Sequence, residues 1–299
     1  MICASCIRCF VDRQEERISK TENEALQAFY MKEVCRIVAQ AGEEDSVPVL
    51  VERINRVYRE HVGALDDYTE IKREYNELML SVEKRMEEKV RAKKDPLQAA
   101  MLYARAANYI DFGAFNHVNH ETLFELLDQA AGQELAPGAY SEFLAELETA
   151  KSLVYVTDNC GEVVMDKIVM KLLKEMYPQL RITALIRGMQ ALNDVTKEDA
   201  GQVDLYSVAE VVTNGCGVTG TPIAYISEEA RALLEDADVI VAKGQGNFET
   251  MNGCGLNVYY SFLCKCDWFQ KRFGLPRNTG VFIREKGLCE NREKGLCKR

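Results

Sequence analysis

The 299-residue chain carries 47 acidic against 37 basic side chains, a formal net charge of −10. That balance disfavours a general nucleic-acid binder, which presents a basic face, but leaves anionic ligands open, because a bound metal ion or one well-placed lysine outweighs distant net charge. With 47% hydrophobic and 28% charged residues and only 6 Pro, the composition excludes a disordered chain and suffices for one large domain or two of ordinary size.

Residues 1–14 read MICASCIRCFVDRQ, with Cys3, Cys6 and Cys9 recurring every third position. This spacing suits zinc or part of an iron–sulfur cluster, with Cys264 or Cys266 as a distant fourth ligand. The alternative is thiols packed beside a helix start. The stretch lacks the apolar core of a secretory signal, and no run of about 18 apolar residues predicts a membrane span. The 11 cysteines are therefore expected as reduced thiols in a cytoplasm, not as a disulfide framework.

Residues 21–150 read as helical. Leu26, Phe29, Tyr30, Val34, Ile37 and Val38 form one stripe at helical spacing, and Val49, Leu50, Ile54, Val57 and Tyr58 a second. The charge-dense run 67–93 keeps Tyr68, Ile71, Tyr75, Leu78, Met79, Val82 and Met86 on one face and is expected to be a solvated helix surface. Asp95 and Pro96 break the pattern before an Ala-rich helix over 97–108. Asn108 and Asp111 then stand in an apolar setting, as local turn formers or as part of a lid over a site. His117 and His120 follow, read as ordinary turn or surface residues.

From 151 the texture changes to strands alternating with helices. Candidate strands are 153–157, 181–186, 209–213, 238–242, 257–263 and 280–283, which predicts a mainly parallel sheet with helices on both faces. Residues 286–299 read as a tail containing a duplicated REKGLC.

The chemistry concentrates at the carboxyl ends of these strands, where open α/β sheets bind ligands. After the first strand, Asp158 and Asn159 are followed by Glu162 and Asp166. Acids stacked in this way repel one another unless something positive sits among them, and oxygen ligands suit a hard divalent cation. The competing reading is helix capping by Asp158 or Asn159. After the second strand, Arg187 is a candidate phosphate partner. The next loop carries Asn193 and Asp194, the latter a second carboxylate for a metal or a helix cap. A glycine-rich loop, 213–222, follows the third strand. After the fourth come Lys243, Gly244, Asn247 and Glu249, where Lys243 is a candidate to neutralise a phosphoryl group and Asn247 and Glu249 to place substrate or water.

Taken together, Asp158-Asn159-x-Gly161-Glu162-x-x-x-Asp166, Arg187-Gly188 with Asn193-Asp194-Val195-Thr196, and Lys243-Gly244-x-Gly246-Asn247-Phe248-Glu249 resemble the damage-control phosphatase family. That family was formerly a domain of unknown function, with an acidic-residue-methyltransferase-like branch. Cys6-x-x-Cys9 with Gln14, Asn108-x-x-Asp111-Phe112 and Lys265-Cys266 resemble its prokaryotic branch. The resemblance implies an N-terminal helical bundle, residues 1–150, joined to a three-layer α/β/α domain, residues 151–285, with a mainly parallel Rossmann-like sheet. It implies a divalent ion (Mn²⁺, Mg²⁺, Co²⁺ or Ni²⁺) on Asp158, Asn159 and Asp194, with Asp158 and Lys243 catalytic. Glu162, Arg187, Asn193, Gly244, Asn247, Glu249, Asn108 and Asp111 are the expected substrate or phosphate contacts, and Cys3, Cys6 and Cys9 a possible second metal site. The expected activity is metal-dependent hydrolysis of a small phosphorylated metabolite, with neither nucleic acid nor membrane as partner. The alternatives are an S-adenosylmethionine-dependent carboxyl methyltransferase and a non-catalytic phosphometabolite-binding protein. Met189 and Gln190 depart from the family pattern, which bears on substrate choice.

Overall fold

In a computed structural model, residues 2–42, 44–114, 118–130 and 132–285 are described. The expected tail at 286–299 and His117 lie outside them. Among the described residues there are twelve α-helices and six strands. The strands are β1 (Ser152–Val156), β2 (Arg181–Ile186), β3 (Glu210–Thr213), β4 (Val239–Lys243), β5 (Val258–Leu263) and β6 (Gly280–Arg284). They form one sheet in the order β3-β2-β1-β4-β5-β6. All neighbours are parallel except the β5–β6 pair. All six agree with the expected strands to within a residue or two.

Both faces of the sheet are covered, which explains why its strands are apolar runs without polar alternation. On β1, Leu153 and Tyr155 enter one apolar cluster, while Val154 and Val156 enter another on the opposite face. The first face is covered by α8 (Glu162–Met176) together with α4 (Thr69–Arg91), α5 (Pro96–Ala107), α6 (His120–Ala130) and α7 (Pro137–Leu147). The second is covered by α10 (Glu228–Glu235), α11 (Gly244–Met251) and α12 (Asp267–Phe273). The short α9 (Lys197–Gln202) lies between β2 and β3.

The first three helices, α1 (Ala4–Ile18), α2 (Glu24–Ala39) and α3 (Val47–His61), gather round Phe10, Tyr30, Leu50 and Ile54 in a cluster of their own. The helices α4–α7 instead share one core with the sheet, running from Tyr75 to Phe282. The segment expected as a single helical domain thus divides in two, and its second part is continuous with the sheet layer across residue 150. Residues 99–107 of α5 are buried on every side. Their alanines leave room for close packing against α8, and Asp95 caps the helix by accepting from Gln98 N–H at 2.9 Å.

The run 67–93 is not wholly a solvated surface. Lys72 and Asn76 are buried and reach across to the loops of the sheet. A period-based reading places the apolar stripe correctly but does not see two polar residues flanking it.

Candidate active site

The strand order reverses between β1 and β4, so the chain leaves these neighbours in opposite directions and opens a crevice beyond their carboxyl ends. Two loops are laced together there by main-chain bonds. Val195 N–H donates to Asp158 C=O at 2.9 Å, Cys160 N–H to Asn193 C=O at 2.8 Å, and Asn159 faces Asp194 across an antiparallel bridge. This brings Asp158, Asn159 and Asp194 side by side from positions 35 residues apart in the chain.

Neither aspartate is a helix cap. Gly161 is the N-cap of α8 and offers no side chain, while α9 is capped by Thr196 in a reciprocal box with Asp199. Asp158 Oδ2 accepts from Asn108 Nδ2 at 2.9 Å and Asn159 Nδ2 at 2.7 Å. Asp194 Oδ2 accepts from Arg187 Nε at 2.6 Å, and the same guanidinium stands 3.8 Å from Asp158 Oδ1. No donor among the described residues hydrogen-bonds the Oδ1 atoms of Asp158, Asn159 and Asp194. Three oxygens are therefore left for a cation, the donor chemistry a hard divalent ion prefers.

Electrostatics point the same way. Asp111, Asp158, Glu162, Asp166 and Asp194 outnumber their cationic partners Arg187, Lys243 and Lys265 by two. Burial, reinforced by the charges of Asp194 and Glu162, pushes the Asp158 carboxyl well above the usual carboxylate range. Burial raises Asp194 too, against the pull of Arg187. These acids hold protons readily because burial penalises their charged forms and other carboxylates lie close by.

Gly244 makes the approach possible. Its φ of +78° is open to glycine, and a Cβ there would run into the Asp158 carboxylate. Gly161, with φ +68°, is instead covered by Ile110 and Tyr75. The turn after β1 consequently exposes no glycine backbone of the kind a nucleotide-like cofactor needs.

Several expected contacts prove to be framework. Lys243 was expected to face a phosphoryl group. Its ammonium is buried and engaged by Glu162 Oε1 at 2.6 Å, Asp166 Oδ1 at 2.6 Å and the Ala104 carbonyl at 3.1 Å. An ammonium has three N–H donors, so none remains. Burial pulls its pKa down, but Asp166 and Glu162 outweigh that and hold it above the ordinary lysine value. Asp166, which also accepts from Tyr155 Oη at 2.7 Å, is raised to about 6, by burial first and against the attraction of Lys243. Glu162 Oε2 accepts from Asn108 at 2.8 Å and Asn159 at 3.0 Å, so this acid orients the two amides and does not face the crevice.

Asn193 holds the loop above the site, donating to Ile110 C=O at 3.1 Å and accepting from Phe112 N–H at 3.1 Å. Asn247 donates to Thr157 C=O and Lys243 C=O, and its Oδ1 accepts from Thr221 and Arg187. The charge of Glu249 acts on Cys6, and those of Asp111 and Cys3 act on it. Cys160 is buried, and burial raises its thiol, so it is no nucleophile. Cys3 and Cys6 touch at 3.3 Å while Cys9 is exposed. Among the described residues no group of three or more His, Cys, Asp or Glu stands in a metal-holding arrangement. The expected cysteine site is thus a pair, and the candidate cation site is two carboxylates plus an amide.

Two features have no site role in the sequence reading, although Lys265-Cys266 enters the resemblance. Lys265 is buried beyond the end of β5 and bonds Asp111 Oδ2 at 2.7 Å. That is its one ammonium acceptor among the described residues, so it keeps donors to spare beside Asp158, whose pKa it lowers. Its place after a buried strand, next to a cysteine pair, was the available signal. Lys72 pairs with Asp199 at 2.5 Å and bonds Thr196 at 3.2 Å, and Asn76 accepts from Gly161 N–H at 2.6 Å. Both brace, from α4, the two loops that carry Asp158 and Asp194.

The family model for the damage-control phosphatase ARMT1-like domain matches residues 2–280. A damage-control phosphatase of Archaeoglobus fulgidus is 31% identical over 285 residues, covering 94% of this chain and 96% of the relative. One of Pyrococcus horikoshii is 24% identical over 287 residues, covering 94% and 97%. The crystal structure of a DUF89 family protein from Pyrococcus horikoshii superposes with a TM-score of 0.79 at 23% identity, over 95% of this chain and 99% of that one.

Proposed function

The chain belongs to the damage-control phosphatase ARMT1-like family, and from that premise we propose that it is a divalent-metal-dependent phosphatase acting on small phosphorylated metabolites. The observation that carries the metal requirement is the surplus of buried carboxylate at the β1–β4 crevice, with three amide and carboxylate oxygens unbonded. Asp158, Asn159 and Asp194 would hold the ion, which supplies Lewis acidity toward a phosphoryl oxygen and lowers the pKa of bound water.

The protein's own groups do the rest. Arg187 keeps Asp194 in place with its Nε–H and sits between both aspartates. Asn108 and Glu162 fix the Asp158 and Asn159 rotamers, so the oxygens need little reorganisation. Lys265 would meet the equatorial phosphoryl oxygens, because its ammonium has two donors unspent beside Asp111. Asp111 aims that ammonium and ties down the 113–114 backbone through N–H bonds of 2.8 and 3.0 Å. Lys243 serves as the internal counter-ion of Glu162 and Asp166 beneath the site.

No helix among the described residues is long and apolar enough to cross a membrane. The test is phosphate release from a panel of sugar phosphates and phosphorylated cofactor intermediates with Mn²⁺, Mg²⁺, Co²⁺ and Ni²⁺ in turn. Absence of turnover throughout, with metal demonstrably bound, would refute the proposal.

A further inference from the structure

Cys3 and Cys6 are not used by the phosphatase site. Cys3 is the N-cap residue of α1 and Cys6 lies one turn on, with their sulfurs 3.3 Å apart. Cys3 Sγ is also 2.9 Å from Ser5 Oγ. Residues three apart on a helix face one another, so this pair is in contact without any rearrangement of the helix. Cys9, a further turn along, is exposed and makes no such contact.

The two thiols are unequal. Burial works to raise Cys3, but hydrogen bonds from Ser5 and from the Cys6 N–H outweigh it and hold Cys3 below the ordinary thiol value. Burial pushes Cys6 up to about 12, with the charges of Cys3 and Glu249 adding to the effect. A thiol biased toward thiolate beside one kept protonated is the division of labour between an attacking and a resolving cysteine. The charge of Glu249 on α11 acts on Cys6 as well. Cys266, whose thiol burial also raises, accepts from Gln245 Nε2 at 4.0 Å and completes the surroundings.

We propose that Cys3 and Cys6 form a redox-active dithiol that exchanges with an external disulfide of the small-thiol class. The Cys3 thiolate attacks one sulfur of the external disulfide. A mixed disulfide forms, and the first external thiolate leaves and takes up the proton that Cys3 gave up. Cys6 then releases its proton and attacks Cys3 Sγ. The Cys3–Cys6 bond forms as the mixed disulfide breaks, and the second external thiolate leaves and takes up the proton that Cys6 gave up. Two electrons pass to the external disulfide, which ends as two thiols. This does not depend on the phosphatase assignment.

The test uses the reduced full-length chain, equilibrated with mixtures of reduced and oxidised glutathione, alkylated and digested after arginine. The peptide of residues 1–8 is expected to lose two hydrogens while Cys9 remains alkylated. Cys6→Ser should stop at a stable glutathione adduct on Cys3, and Cys3→Ser should leave Cys6 unmodified. The proposal is overturned by a peptide that stays reduced throughout, by a glutathione adduct that persists in the parent chain, or by oxidation that pairs Cys9 instead.

Discussion

Replacing Lys243 with Met separates its framework role from a direct catalytic one. The ammonium is the shared partner of Glu162 and Asp166, each at 2.6 Å, and of the Ala104 carbonyl at 3.1 Å. Removing one member of a buried ion pair costs about 3–5 kcal/mol, and an orphaned carbonyl adds about 1 kcal/mol. With an unfolding entropy of about 2.1 cal/mol/K per residue, 1 kcal/mol moves the midpoint of a chain this long by roughly 1.6 °C. Calorimetry should therefore record a fall of about 6–10 °C at neutral pH. The pH dependence has a definite sign. Asp166 is already held up at about 6 by burial, and losing the lysine's attraction raises it further above its unfolded value. The deficit relative to the parent therefore opens as pH climbs above about 6 toward that higher value. The deficit should shrink on acidification by up to about 1.4 kcal/mol per pH unit for each proton bound. Adding Asp166→Asn should restore part of the loss. A midpoint within 2 °C of the parent at every pH, combined with collapsed phosphatase turnover, would refute this reasoning and return Lys243 to the substrate.

Three further outcomes follow from the site. At a metal concentration a hundred times its dissociation constant, the parent should gain about 2.7 kcal/mol, or about 4 °C. Asp158→Asn should abolish that gain yet melt higher than the metal-free parent, because it removes a charge from an over-acidic group. Lys265→Met leaves only Asp111 without its cation, so a stability loss of about 1–3 kcal/mol should accompany a fall of roughly a hundredfold or more in kcat/KM. Metal and protons should compete, since Asp158 and Asp194 are both displaced upward. Affinity should fall as pH drops, starting above the ordinary carboxylate range. Titration calorimetry in buffers of different ionisation enthalpy should register proton release on binding, and an unchanged heat across buffers would contradict this.

The sheet was legible because β-branched and aromatic runs such as 153–156 and 258–263 leave little else to read. The grouping of Asp158, Asn159 and Asp194 was legible because each follows a strand on the same edge. What could not be read is who pairs with whom. Lys243 resembles a rim residue in one dimension, but its depth below the rim depends on Glu162 and Asp166, which reach it from α8. Lys265 carries no motif glycine beside it, and its value comes from the single acceptor around its ammonium. Lys72 and Asn76 sit in a helix whose charge density signals solvent, and only the packing of α4 on the β2–α9 loop reveals otherwise. The 1–150 segment has uniform helical texture, so nothing along it marks where its helices cease to pack on one another and begin to pack on the sheet.

The rod of small side chains at α5 has a consequence for how such a catalyst can be adjusted. Its last turn presents the Ala104 carbonyl to Lys243, and Asn108 beyond it grips Asp158 and Glu162 at once. A methyl group gained among those interior alanines acts as a wedge, displacing both acids together while touching neither. Reactivity can thereby drift through volume changes deep in the interior, and variants that alter rate will map to positions no substrate ever meets.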